Sequence, residues 1–112
     1  MNITDVIWRN SHAHPERLAL LCDGRTVPYG ELRATIGLVA ARLAEAGIAR
    51  GHCVAVSIRN PLLYLPVVLA IARIGAVATP FRDQWADGQK EELLRRHMAR
   101  ALIQEARGAW RS

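Results

Sequence analysis

Lysine is almost missing from this 112-residue chain: Lys90 is the only one, and arginine supplies the other fourteen of the fifteen basic side chains. Aromatic residues are also few, three tryptophans, two tyrosines and one phenylalanine. Nucleic-acid-binding domains gather basic charge on one face, with aromatic or motif context around it. Here the arginines scatter from Arg9 to Arg111, and only Arg95, Arg96 and Arg100 lie close together. They follow Glu91 and Glu92 on one expected helix, and acid early with base late is the order that the helix dipole favours. The net charge of +5 therefore reads as solvated helix surface, and no nucleic-acid partner is expected.

Other absences narrow the classes further. The apolar run from Leu62 to Ile74 is interrupted by Pro66 and Arg73 and falls short of the roughly 20 residues of a membrane span, so no membrane partner is expected. The N-terminus MNITDVIWRN has no basic stretch leading into an apolar one, which makes the cytoplasm the expected compartment. Cys22 and Cys53, each inside a strand-like run, read as small buried apolar residues with no zinc spacing. His12 and His14 form an H-x-H pair without a visible third ligand, too little for a metal site. Asp87-Gly88-Gln89 before Lys90 is no phosphate-cradling loop, and no Gly-x-Gly-x-x-Gly follows a strand. Nor is there a nucleophile with a base and an orienting group. No catalytic, cofactor-binding or metal-ligating residue is assigned.

What remains is a clear alternation of elements in one unit, residues 1–112. Apolar content is 51% and mean hydropathy +0.05, which fits an ordinary folded domain with a single core. Thr4 is expected to cap a first helix with Ile3, Val6 and Ile7 as its apolar contacts, fraying towards Pro15. Leu18 to Cys22 and Arg25 to Tyr29, joined by Asp23-Gly24, spell a β-hairpin. A helix then starts at Gly30-Glu31. Leu32, Ile36, Val39 and Leu43 line one face of it, and Gly47 ends it. Cys53 to Ile58 reads as a strand buried on both faces.

Asn60 to Phe81 is the organising stretch. Asn60 caps and Pro61 opens a helix that is apolar nearly all round, as an element covered on several sides must be. Pro66 should kink that helix or delay its start. Gly75 stops it in the left-handed position, and Ala76 to Thr79 makes a short strand closed by Pro80. Helix, glycine, buried strand and proline form the second half of a βαβ crossover. A helix over Gln89 to His97, with Leu93, Leu94 and Met98 on its thin apolar side, and a strand over Ala101 to Ile103 complete the order. The fold class is α/β: a parallel sheet with helices on both faces, right-handed crossovers and an N-terminal β-hairpin.

Three segments carry a resemblance. Val27-Pro28-Tyr29-Gly30-Glu31-Leu32 resembles the "Thr-Tyr-x-Glu-Leu" motif of the adenylate-forming (AMP-binding) superfamily. Gly47 and Gly51 with CVAVSIRN are similar to its "Leu-Gly-x-x-x-Gly-Asp-x-Val-Ala" segment, with His52 in place of the usual Asp. Ala72 to Pro80, through Gly75, resembles "Lys-Ala-Gly-Ala-x-x-x-Pro", with Arg73 where Lys is common. After Pro80 the likeness fades: Arg82 stands where Asn is frequent, and Lys90 where a leucine is usual.

The superfamily includes acyl- and aryl-CoA synthetases, luciferases and the adenylation domains of peptide synthetases. The resemblance implies an N-terminal subdomain fragment of a larger adenylate-forming domain, in which Tyr29, Glu31, Leu32, Gly47, Gly51, Gly75 and Pro80 are architectural. Tyr29 and Glu31 would lock the hairpin to the next helix. For the whole enzyme it implies ATP, Mg and coenzyme A, with the phosphate loop and catalytic lysine later in the chain. Pro66 has counterparts in aryl-CoA ligase-like members and points to an aromatic acid. The implied partner is the remainder of the ligase domain or a second copy, because the hairpin and the helix around Leu62, Leu63 and Leu65 should leave apolar surface open. The alternative is a stand-alone, non-catalytic interaction module.

Overall fold

The computed structural model describes residues 2, 4–80, 87–96 and 98–104. Ile3, Arg82 and His97, and the side chains of Lys90 and Leu93, lie outside the described set. In order the elements are α1 (Thr4–Ala13), β1 (Leu18–Cys22), β2 (Arg25–Pro28), α2 (Tyr29–Glu45), β3 (Cys53–Ser57), α3 (Pro61–Arg73), β4 (Val77–Pro80), α4 (Asp87–Arg96) and β5 (Ala99–Gln104).

Local chemistry explains most of these boundaries. Asp23 and Gly24 both take left-handed backbone angles, φ 51° and 78°, which a two-residue hairpin turn needs to match strand twist. β1 and β2 pair antiparallel, Leu20 opposite Val27 and Cys22 opposite Arg25, with a bulge between Leu18 and Leu20. Helix α2 starts at Tyr29, one residue before the glycine expected to open it, and has no side-chain cap. Its first free N–H groups find backbone acceptors instead: Tyr29 N donates to Arg17 O (2.9 Å) and Gly30 N to Pro15 O (2.8 Å). In α3, Asn60 Oδ1 accepts from Leu62 N at 3.0 Å and Pro61 takes the first helical position.

The three-stranded sheet has the order β4-β3-β5 and is parallel throughout. Its central strand is buried from Val54 to Ser57. Val54 and Val56 face the core, where they meet Val67, Ala70 and Ile71 of α3 and Leu32, Ile36 and Leu43 of α2. The next residues along, Ala55 and Ser57, point to the opposite face and are buried as well. β4 lies on one side of β3 and β5 on the other. Right-handed crossovers therefore put α3 and α4 on opposite faces of the sheet. This is the layered α/β arrangement that alternating helices and apolar strands imply.

Several local expectations need correction. Thr4 is not the cap of α1 but its first residue; Asn2 Oδ1 accepts from both Thr4 N (2.9 Å) and Thr4 Oγ1 (2.6 Å). The helix runs to Ala13, two residues short of Pro15, and Val6 is exposed rather than an apolar contact. Pro80 does not close β4 from outside. It is the strand's last residue, opposite Val56, tolerated because among the described residues β4 is an edge. Pro66 does not delay the start of α3, which is continuous from Pro61 to Arg73; its ring is buried. Cys22 and Cys53 are free thiols, half-buried where full burial was expected. Helix α4 begins at Asp87 and β5 is longer than expected at both ends.

Candidate functional site

The motif glycines converge on two helix ends. At the end of α2, Ile48 N donates to Leu43 O (3.0 Å) and Gly47 N to Ala44 O (3.0 Å). At the end of α3, Ala76 N donates to Ile71 O (3.0 Å) and Gly75 N to Ala72 O (3.0 Å). Each pair is the double bond of a Schellman stop, with a left-handed residue just past the helix: Gly47 at φ 88° and Gly75 at φ 79°. Leu43 and Ile48, the hydrophobic pair that accompanies such a stop, are both buried.

The two stops are then laced together. Gly51 N donates to Gly75 O at 3.0 Å, and Val77 N donates to His52 O at 2.8 Å. A Cβ at Gly75 would come within 3.0 Å of Arg50 Cγ, so the Arg50 side chain lies directly on the glycine. His52 holds its own turn: its Nδ1 accepts from Ala49 N at 2.9 Å. An aspartate carboxylate could accept the same hydrogen bond, so His52 can take the place of the Asp in the motif that this segment resembles. The loop 47–52 thus starts β3 at a fixed height against the start of β4.

The other motif residues play different parts. Leu32 is buried in the core and Tyr29 is half-buried. Glu31 is exposed, and its carboxylate makes no hydrogen bond or ion pair with any described residue. The backbone bonds at Tyr29 and Gly30 join the start of α2 to the segment that leads into β1, and the Glu31 side chain takes no part in them. A Cβ on Gly30 would sit 3.2 Å from Pro15 O, so glycine permits that approach.

A second cluster escapes sequence reasoning altogether. The Arg73 guanidinium lies over the Trp8 ring, 4.4 Å from its centroid, and Nη1 reaches Asp5 Oδ1 at 2.9 Å. Arg33 approaches the same ring at 5.3 Å. Asn2 Nδ2 donates to Ala72 O at 2.6 Å. These contacts fasten α1 across the ends of α2 and α3. The one available signal was a lone arginine in an apolar helix, which identifies a polar exit but not its partner.

Two open clefts are lined by described residues. One, of about 390 Å³, is lined by Asn2, Arg50, Arg73, Ile74 and Gly75. The other, of about 400 Å³, lies between the hairpin tip at Cys22 to Arg25 and the start of α3 at Arg59 to Leu62. In the second, Cys22 Sγ lies 3.9 Å from Asp23 Oδ2, an exposed pair of chain neighbours. Among the described residues no three of His, Cys, Asp and Glu gather as metal ligands, and His12 and His14 are both exposed. Asp87, Gly88 and Gln89 form the first turn of α4 rather than a loop able to wrap phosphates. Among the described residues nothing fits a nucleotide, and no step of nucleotide chemistry follows from them. Nor is any helix among them long and apolar enough to cross a membrane.

Parallel sheet, hairpin and two laced helix stops define an architectural α/β segment. The chain belongs to the AMP-binding enzyme family, which it matches over residues 7–111. It is 33% identical over 105 residues to the chalcone synthase cfoA of Aspergillus candidus, covering 94% of this chain and 4% of that protein. It is 32% identical over 100 residues to a 4-chlorobenzoate–CoA ligase of an Arthrobacter species, covering 88% of this chain and 19% of the ligase. Among solved structures, the N-terminal subdomain of Klebsiella oxytoca NpsA in complex with 3-hydroxyanthranilyl-AMSN superposes with a TM-score of 0.80 at 34% identity. That match covers 97% of this chain and 28% of the other. The chain spans under a fifth of the length of these curated relatives.

Proposed function

We propose that this chain is the N-terminal structural portion of an enzyme that joins a carboxylic acid to coenzyme A through an acyl-adenylate, and that it is not catalytic by itself. In the whole enzyme the acid's carboxylate would attack the α-phosphorus of ATP and release pyrophosphate. The thiol of coenzyme A would then attack the acyl carbonyl and release AMP, with Mg accompanying the ATP. The cytoplasm, where ATP and coenzyme A are available, is the compartment proposed for it.

The observation that carries this reading is the lacing of Gly47, Gly51 and Gly75. Two family-like motifs supply the glycines that end two helices and help align β3 with β4, a structural use that supports this reading. The 4-chlorobenzoate–CoA ligase and the 3-hydroxyanthranilyl-AMSN complex favour an aromatic acid, in line with the buried Pro66. Exposed apolar side chains, Met98 and Leu21 above all, favour the second reading, a non-catalytic module that binds a protein partner.

Acid-dependent ATP–pyrophosphate exchange tests it. The purified chain should give none with any aromatic or aliphatic acid. A polypeptide carrying this segment ahead of a complete ligase domain should give exchange and, with coenzyme A, a thioester. Exchange by the 112-residue chain alone would overturn the reading. A polypeptide that exchanges but transfers the acyl group only to a carrier-protein thiol would overturn its coenzyme A half.

A further inference from the structure

The turn 47–52 is closed by an imidazole nitrogen that must be free of a proton. His52 Nδ1 accepts from Ala49 N at 2.9 Å, and His52 N donates back to Ala49 O at 3.1 Å. A backbone N–H can only donate. The side-chain bond therefore exists only while Nδ1 keeps its lone pair and the ring's single proton sits on Nε2. The same turn sets β3 against β4, through Gly51 N to Gly75 O and Val77 N to His52 O.

Histidine is the one side chain whose ordinary titration falls between about pH 5 and 8. A proton taken up at Nδ1 would place two N–H groups face to face at hydrogen-bond distance. Among the described residues the ring makes no other hydrogen bond and no ion pair, so no carboxylate is placed to hold it charged. The charged side chains on the elements that meet at the turn are Arg50 within it, Arg42 and Glu45 in the last turn of α2, Arg73 in the last turn of α3 and Arg100 in β5. Cys53, next along β3, has its thiol against Thr79 Oγ1 at 2.9 Å. The bond to Ala49 is exposed, so solvent protons reach it directly.

We infer that His52 is a pH-sensitive latch on the start of β3 and β4. Neutral, it closes the turn; protonated at Nδ1, it releases the Ala49 N–H to water and loosens the Gly51–Gly75 and Val77–His52 bonds that follow. Neutral imidazole is the bonded form, so the latch's contribution is complete above the imidazole range and is lost as the pH falls through it. The motif that this segment resembles has Asp here. A carboxylate remains an acceptor down to its own titration near about pH 4, so an aspartate would stay closed where the histidine opens.

Amide exchange and nitrogen NMR of the 112-residue chain, beside its His52→Asp variant, test this. At about pH 7.5 the His52 Nδ1 resonance should be that of a nitrogen with a free lone pair, and Nε2 should carry the proton. Between about pH 7.5 and about pH 5.5 the protection of the Ala49 amide, corrected for intrinsic exchange, should fall about fivefold, the worth of one hydrogen bond. Smaller losses should follow at Gly51 and Val77. In His52→Asp the same amides should keep their protection across that range. His12, His14 and His97 are present in both proteins, so the difference between the two isolates His52. A proton on Nδ1 at the higher pH overturns the inference, as do equal losses in the two proteins. Ala49 protection that stays constant in the unmodified chain while the His52 ring takes up its proton overturns it without reference to the variant.

Discussion

Arg73 stacks on Trp8, with its guanidinium carbon 4.4 Å from the ring centre, and the same side chain reaches Asp5. A planar guanidinium can lie on an indole face while pointing its N–H groups sideways at a carboxylate; an ammonium cannot do both as well. That is a structural reason for arginine at position 73, where the motif it resembles has lysine. Arg73→Ala should lower stability by about 1 kcal/mol, from a surface cation–π contact and a solvent-screened ion pair. Arg73→Lys should fall between the two. Urea midpoints for Trp8→Leu, Arg73→Ala and the double variant give the coupling, expected at about 0.5–1 kcal/mol. Additive effects would mean that α1 is held by other contacts.

Gly75 should tolerate almost nothing. Its φ of 79° strains any L side chain, and a Cβ would press on Arg50 Cγ at 3.0 Å. Gly75→Val should cost more than the roughly 1 kcal/mol of a helix-interior glycine change. Adding Arg50→Ala removes the contact but not the backbone strain, so only part of the loss should return. A denaturation midpoint unmoved by Gly75→Val would contradict this account of the helix stop.

His52 predicts a more forgiving pattern. Its Nδ1 serves as an acceptor for Ala49 N in an exposed turn. His52→Asp retains an acceptor and should be close to neutral, while His52→Ala should cost up to about 1 kcal/mol, the net worth of one hydrogen bond. Chemical denaturation of both variants decides it. Equal loss in the two would show that the imidazole's packing matters and its acceptor nitrogen does not.

Pro66 offers a gain. Inside α3 it withholds the N–H that would bond to the carbonyl of Leu62, a defect worth about 3 kcal/mol relative to alanine in a helix interior. Its buried ring recovers part of that, at about 0.8 kcal/mol per methylene. Pro66→Ala should therefore raise the thermal midpoint modestly. A large drop would mean that the ring's packing outweighs the missing hydrogen bond.

The sequence by itself determined the order of elements, because periodicity, capping and turn chemistry are local. Asn60-Pro61 starting α3, Asp23-Gly24 turning the hairpin and the stripe Leu32, Ile36, Leu43 all depend on neighbours within a few residues. Even the stops at Gly47 and Gly75 are local, since each bonds within its own last turn. Tertiary structure alone decided which of these elements meet. That Gly51 donates to Gly75, that α2 begins on carbonyls of Pro15 and Arg17, and that Arg73 finds Trp8 are contacts across 12 to 65 residues of chain, and no spacing rule reaches that far. The exchange of Thr4 for Asn2 at the head of α1 has the same cause: Asn2 both caps the helix and reaches Ala72 O, so a distant carbonyl fixed where the helix starts. Exposure of Leu21 belongs there too, because a strand's alternation shows that it has two faces, and only the packed molecule shows which one is left open.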